Sequence, residues 1–140
     1  MLGLSGLAFL RCPDWVLGEH IDEAAGKLRK VLVDEIPQLI YLPHAGEWHP
    51  DHQVALLVVR GALHKLQPPE LLGYEVWTPL SEYDEVKDIS TVMERKLEAI
   101  RCYRSQLGPY QYDRAARGLN EYRGAIAGRC LYAEVFRKTL

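Results

Sequence analysis

The tetrad Leu39-Ile40-Tyr41-Leu42, closed by Pro37 on one side and Pro43 on the other, constrains this chain more than any other feature. An apolar run that short, fenced by prolines, reads as a buried strand. It leads into Pro43-His44-Ala45-Gly46-Glu47-Trp48-His49-Pro50-Asp51-His52 and then into Gln53-Val54-Ala55-Leu56-Leu57-Val58-Val59-Arg60. There Val54, Leu57, Val58, Gly61 and Ala62 fall on one helical stripe. Leu56, Val59 and Leu63 make a second apolar face, so a helix from Pro50 to about Leu66 should be covered on both sides. Pro50 stands where a first helical residue belongs. The chain is thereby committed to strand, loop and helix. In an open α/β sheet such loops, at the carboxyl ends of strands, are where ligands bind.

Three of the five histidines sit on that loop. His49 and His52 are three apart across a helix start, so both side chains can enter one cavity. A helix N-terminus disfavours an imidazolium. Neutral imidazole is the form that ligates a metal, and zinc is the metal that most often takes it. Asp51 is placed either to bind that metal or to accept the second N–H of a histidine. The plain alternative, two histidines that cap a helix and do nothing else, stays open for a motif this short.

The rest of the chain supplies a frame. Gly6–Leu10 is a short strand candidate ended by Arg11-Cys12-Pro13-Asp14, which puts Asp14 on a loop that faces the His49 cavity or simply makes a turn. Trp15 either stacks on a ligand ring or covers the core. Glu19–Ile36 is an amphipathic helix burying Ile21, Ala24, Ala25, Leu28 and Leu32, stopped by Pro37, with His20 on its solvent side. Strand, helix and strand of these lengths make a βαβ unit. Tyr74–Trp77 alternates like a strand, and Val86–Ile89 is briefly extended. Thr91 and Glu94 read as a capping box opening a helix to about Leu107, with Gly108-Pro109 as its stop. A further helix, Asp113–Ala127, should be buried through Ala116, Leu119, Tyr122 and Ile126 and stopped by Gly128. Leu131–Phe136 is a last strand.

Composition sets outer bounds. A chain of 140 residues, 48% hydrophobic and 26% charged, suits one ordinary globular domain. The run Val54–Val59 is far too short for a membrane span, and Met1–Leu10 lacks the basic start of a signal peptide. Cys12, Cys102 and Cys130 are odd in number and widely spaced, which suits free thiols in a reducing cytoplasm, with Cys12 a small buried hydrophobe. Residues 90–140 hold ten Lys or Arg against five Asp or Glu, at helical spacing among acids and tyrosines. That pattern describes a solvated helix face, and with a pI near 6.2 it argues against a nucleic-acid partner.

Pro43-His44, Gly46, then His49-Pro50-Asp51-His52 and an apolar helix resemble the second signature of the LmbE-like (PIG-L) zinc N-deacetylases. Upstream, Leu2-Gly3-Leu4-Ser5, Phe9-Leu10 and Pro13-Asp14 look like the strand before that signature. Downstream, Tyr74-Glu75-Val76-Trp77, Asp88-Ile89, Lys96-Leu97-Glu98-Ala99, Arg104-Ser105-Gln106 and Tyr122-Arg123-Gly124 look like the family's C-terminal half. The family's opening A-H-P-D-D-E strand, which supplies two zinc ligands and a base, has no counterpart in these residues. The resemblance therefore implies residues 1–140 as one partial LmbE-like domain. Its fold would be α/β, a Rossmann-like three-layer sandwich with a mostly parallel sheet lacking its N-terminal strands.

The resemblance also implies roles. His52 would be the zinc ligand, and His49 would stabilise the oxyanion or protonate the leaving amine, with Asp51 tuning it. Asp14 and Trp48 would touch substrate, and His44 would shape the loop. Glu47 stands where some relatives carry an oxyanion-assisting tyrosine, so the resemblance transfers no role to it. The implied substrate is an N-acetylglucosamine unit on a larger conjugate, and the implied cofactor is Zn2+ in a site this chain leaves incomplete. The implied setting is cytoplasmic, without nucleic acid or membrane span, as a homo-oligomer or beside a missing N-terminal half. The chain alone is expected to be inactive and to bind metal weakly. Two other readings remain: a degenerate, non-catalytic domain serving as a binding or assembly partner, and a small-anion site at a helix N-terminus.

Overall fold

The structure, a computed structural model, describes residues 3–107 and 110–139. Their contacts cluster into two compact units, residues 4–84 with 136–139, and residue 3 with 85–135. Leu2 of the proposed upstream match and the Gly108-Pro109 stop lie outside the described residues.

In the first unit a single 3-10 turn, Leu17–Glu19, leads into helix α1, Ile21–Glu35. Ala24, Ala25 and Leu32 form its buried face, as their helical spacing requires. The helix stops because Ile36 turns left-handed (φ 43°) and Pro37 has no N–H to continue the ladder. Strand β1, Leu39–Pro43, follows, and helix α2, Pro50–Ala62, starts with Pro50 at its first position. Val58 and Ala62 pack on α1, while Leu56 and Val59 pack on Leu42 and Leu71 of the sheet. Each of those larger side chains contributes roughly 1.5–3 kcal/mol by leaving water. Leu57, expected on the buried stripe, is instead half exposed, because helix and sheet claim the flanking faces.

Strand β2 is Glu70–Tyr74, earlier than the expected Tyr74–Trp77. It pairs parallel with β1, Leu39 opposite Glu70 through Pro43 opposite Tyr74, so β1-α2-β2 is a parallel crossover unit. Its second neighbour is the end of β4, Ala133–Lys138, in antiparallel register with Tyr74 opposite Phe136. In the second unit β3, Glu85–Asp88, lies beside the first residues of β4.

The mostly parallel sheet expected from the sequence is thus corrected: one pair is parallel and β2–β4 is antiparallel. Antiparallel pairing at the edge of a parallel pair is common in mixed sheets. The expected strand Gly6–Leu10 is also absent, since residues 6–10 carry no strand pairing and Leu7 and Phe9 lie exposed. The βαβ unit therefore starts at β1.

Helices α3, Met93–Arg101, and α4, Tyr112–Arg123, complete the second unit, with a π-turn at Gly124–Gly128. The Thr91 capping box does not form. Val92 takes the cap position without a side-chain bond, and Glu94 reaches Arg117 of α4 instead. Tyr122 and Ile126 are exposed, and α4 buries Asn120 and Arg123 in their place. Asn120 donates to the Ala133 carbonyl and accepts from Lys96, whose ammonium also pairs with Glu134.

Candidate functional site

The loop from β1 to α2 lies wholly within the first unit, and its geometry begins with a close approach. The His44 N–H extends the sheet by donating to the Tyr74 carbonyl at 3.1 Å. A Cβ on Gly73 would stand 3.0 Å from the His44 Cβ, so the glycine makes room for the histidine. His44 is buried, with both ring nitrogens engaged. Nδ1 accepts the Gly46 N–H at 3.1 Å, which leaves the proton on Nε2 to be donated to the Thr78 carbonyl at 2.7 Å. His44 is thus a loop brace, as expected.

Glu47 is the group that the sequence left without a role. Its carboxylate has no exposed surface and is ringed by main-chain donors. Oε1 accepts from Val76, Trp77 and Thr78 at 2.7, 3.1 and 3.3 Å, and Oε2 accepts from Trp77 at 3.0 Å. His44 Nε2 lies 3.4 Å from Oε1, and His52 Nδ1 lies 3.6 Å from Oε2. Reading residues 74–77 as strand hid this arrangement, because it assigned those amides to a ladder. Amides that leave a strand within a folded unit need another acceptor, and an acid on the facing loop was the available signal.

His49 caps α2 from an extended conformation (φ −71°, ψ 128°), its Nδ1 accepting the Asp51 N–H at 3.2 Å. That bond fixes Nδ1 as the unprotonated nitrogen and leaves Nε2–H as a donor. The His49 and His52 rings stand 4.9 Å apart, as a three-residue spacing across a helix start allows. His52 has a partly exposed ring, yet its Nδ1 is a buried atom with no hydrogen bond. The exposure therefore belongs to the side of the ring that carries Nε2.

The Asp51 carboxylate is hydrogen-bonded to main-chain amides and to neither histidine ring. Oδ2 accepts from Trp15 at 2.8 Å and Oδ1 from Leu17 at 3.0 Å. This clamp holds Trp15 in the left-handed region (φ 68°), a conformation that costs a bulky residue about 1–2 kcal/mol. The clamp also brings Asp14 to the site: ligand atoms of Asp14, His49 and Asp51 all lie within 4.8 Å of one another. Beside them stands an exposed aromatic wall. Trp48 sits 6.1 Å from Trp15 and 5.9 Å from Trp77, and Trp15 lies 4.5 Å from the His49 ring.

No family profile matches the sequence. No curated protein matches it either. Solved structures do. The conserved protein TT1542 from Thermus thermophilus superposes with a TM-score of 0.72 at 25% identity, over 84% of this chain and 58% of that one. The N,N'-diacetylchitobiose deacetylase from Pyrococcus horikoshii, in complex with an inhibitor, gives 0.71 at 21% identity, over 96% and 55%. The zinc-inhibited form of teicoplanin deacetylase Orf2 gives 0.61 at 17% identity, over 99% and 59%. This chain shares the fold of these structures, two of them deacetylases. It spans between 55% and 59% of the length of the structures it matches. The 4-carboxy-2-hydroxymuconate hydratase GalB from Pseudomonas putida KT2440 also superposes, at TM-score 0.59 and 18% identity, over 88% of this chain and 59% of that one. The fold by itself does not name a reaction.

Among the described residues no helix is long and apolar enough to cross a membrane. Cys12, Cys102 and Cys130 are free thiols.

Proposed function

We propose that the His44–His52 loop is the zinc site of a hydrolase that removes the acetyl group from an N-acetylglucosamine-type conjugate. One observation carries the reading. Two imidazoles stand 4.9 Å apart at the start of α2, and each has its Nδ1 turned into the protein. Imidazole and carboxylate are the donors zinc takes; Asp14, His49 and Asp51 bring such atoms within 4.8 Å of one another and His52 adds an imidazole 4.9 Å from the His49 ring, so the residues fit the ion. His52 would hold it. A bound zinc would supply Lewis-acid polarisation of the amide carbonyl and a more acidic water.

The chain's own groups do the rest. His49, with its proton on Nε2, donates to the oxygen that becomes negative and stands near the leaving nitrogen. Asp51 holds that imidazole through its main-chain N–H, and through its carboxylate it sets the Trp15 segment against the His49 ring. Trp15, Trp48 and Trp77 offer flat apolar faces for a sugar ring, with Asp14 as acceptor for a hydroxyl. The Asp14–His49–Asp51 grouping offers a competing ligand set, in which His49 binds the metal itself.

The test adds zinc and then N-acetylglucosamine to the chain while histidine and tryptophan side-chain resonances are followed by NMR. The reading expects zinc to move His52 and the sugar to move the Trp48 and Trp15 indoles. A response at neither imidazole, with silent indoles, overturns it. The hydratase among the matched structures supports a second reading, water addition to an unsaturated acid. The same NMR titration with an unsaturated hydroxy acid in place of the sugar separates the two, by which ligand moves the His49 and Trp48 resonances.

A further inference from the structure

We propose that Glu47 is the positioning residue of this site: its carboxylate accepts a hydrogen bond from the Nδ1–H of His52 and so fixes the tautomer whose Nε2 carries the free lone pair. The inference rests on the zinc reading only for its consequence, since the tautomer itself is a property of the metal-free chain.

Three observations on the same atoms support it. The buried His52 Nδ1 has no hydrogen bond, and a carboxylate oxygen, Glu47 Oε2, lies 3.6 Å away, a few tenths of an ångström beyond bonding range. Glu47 cannot turn aside, because amides of three consecutive residues grip it. The two oxygens are also unequally loaded. Oε1 accepts three amides and faces His44, whereas Oε2 accepts Trp77 alone and has capacity for one more donor. The neighbouring histidine cannot supply it, since the His44 proton on Nε2 goes to the Thr78 carbonyl. A carboxylate behind an imidazole sets ring orientation and tautomer and raises the basicity of the nitrogen that faces a metal. Here that carboxylate comes from the loop itself, five residues before the histidine.

Glu47→Gln separates positioning from mere structure. Its carbonyl oxygen, in the place of Oε1, still accepts the amides of residues 76–78, while its NH2, in the place of Oε2, gives up the second Trp77 bond and would face His52 Nδ1 as a donor. The proton is then expected to move to Nε2, the nitrogen that must be bare to ligate. Long-range 15N–1H spectra of the metal-free chain above neutral pH read this directly. Wild type should show His52 as the Nδ1–H tautomer and Glu47→Gln as the Nε2–H tautomer, with zinc affinity lower by about 10- to 100-fold. A wild-type His52 in the Nε2–H tautomer overturns the proposal, and so does a folded Glu47→Gln chain with the tautomer unchanged. The wild-type spectrum decides even if the variant fails to fold. If wild type shows the Nδ1–H tautomer but binds no zinc, the zinc reading falls while the tautomer assignment stands.

Discussion

A carboxylate without exposed surface is tolerated only where donors surround it, and Glu47 is tolerated for that reason. Removing it leaves the Val76, Trp77 and Thr78 amides facing a void, each unsatisfied group costing about 1–3 kcal/mol. Glu47→Ala should therefore destabilise the fold by on the order of 3 kcal/mol in denaturant unfolding. A loss under about 1 kcal/mol would mean that water replaces the carboxylate freely. The same scale shows what the sequence could disclose. Pro50 at a helix start and two histidines three apart were readable, because capping and spacing are local rules. The partners of Glu47 were not, because they lie about thirty residues away on a segment that the alternation at 74–77 made look like strand. Asp51 was readable as a loop acid beside the histidines, but its grip on the Trp15 and Leu17 amides depends on how distant segments meet.

Elements followed their local signals where nothing distant competed. Helix α1 took its buried stripe and its stop from spacing and from Pro37, and α2 its two apolar faces. Where a tertiary partner intervened, the local rule lost. Glu94 left the capping box for Arg117, and α4 turned Asn120 and Arg123 inward in place of Tyr122 and Ile126. The link between α3 and α4 carries a pH signature. The Arg101 guanidinium beside Asp113 holds that carboxyl below its ordinary value. A depressed carboxyl contributes stability above its unfolded pKa, near 3.8, and that contribution disappears as pH falls through the folded value. A carboxyl 13C titration should find Asp113 below 3.8 in wild type and returned towards it in Arg101→Gln. No change in Arg101→Gln would assign the shift elsewhere. The π-turn after α4 makes a steric prediction. A Cβ on Gly124 would stand 2.7 Å from the Cys130 carbonyl oxygen and from backbone atoms of Leu131. Backbone cannot step aside cheaply, so Gly124→Ala should cost roughly 1–3 kcal/mol. A neutral effect in thermal unfolding would show that the turn relaxes.

At the scale of the whole molecule, β1 ends the sheet, and Leu39 and Tyr41 on it are 36% and 49% exposed. Leu4, Leu7 and Phe9 are exposed as well, and the net charge of −2 gives little repulsion. An open edge strand and exposed apolar side chains each promote pairing between chains. Light scattering should show an average mass that rises with concentration, and a constant monomer mass would contradict this. The larger claim concerns which imidazole belongs to the metal. It is tested most directly by titrating zinc into the metal-free chain while following imidazole nitrogen resonances, in wild type, His52→Ala and His49→Ala. If His52 is the ligand, His52→Ala loses the zinc response, while His49→Ala keeps an affinity within about tenfold of wild type. The opposite pattern, zinc lost in His49→Ala and retained in His52→Ala, would hand the site to Asp14, His49 and Asp51 and contradict the account.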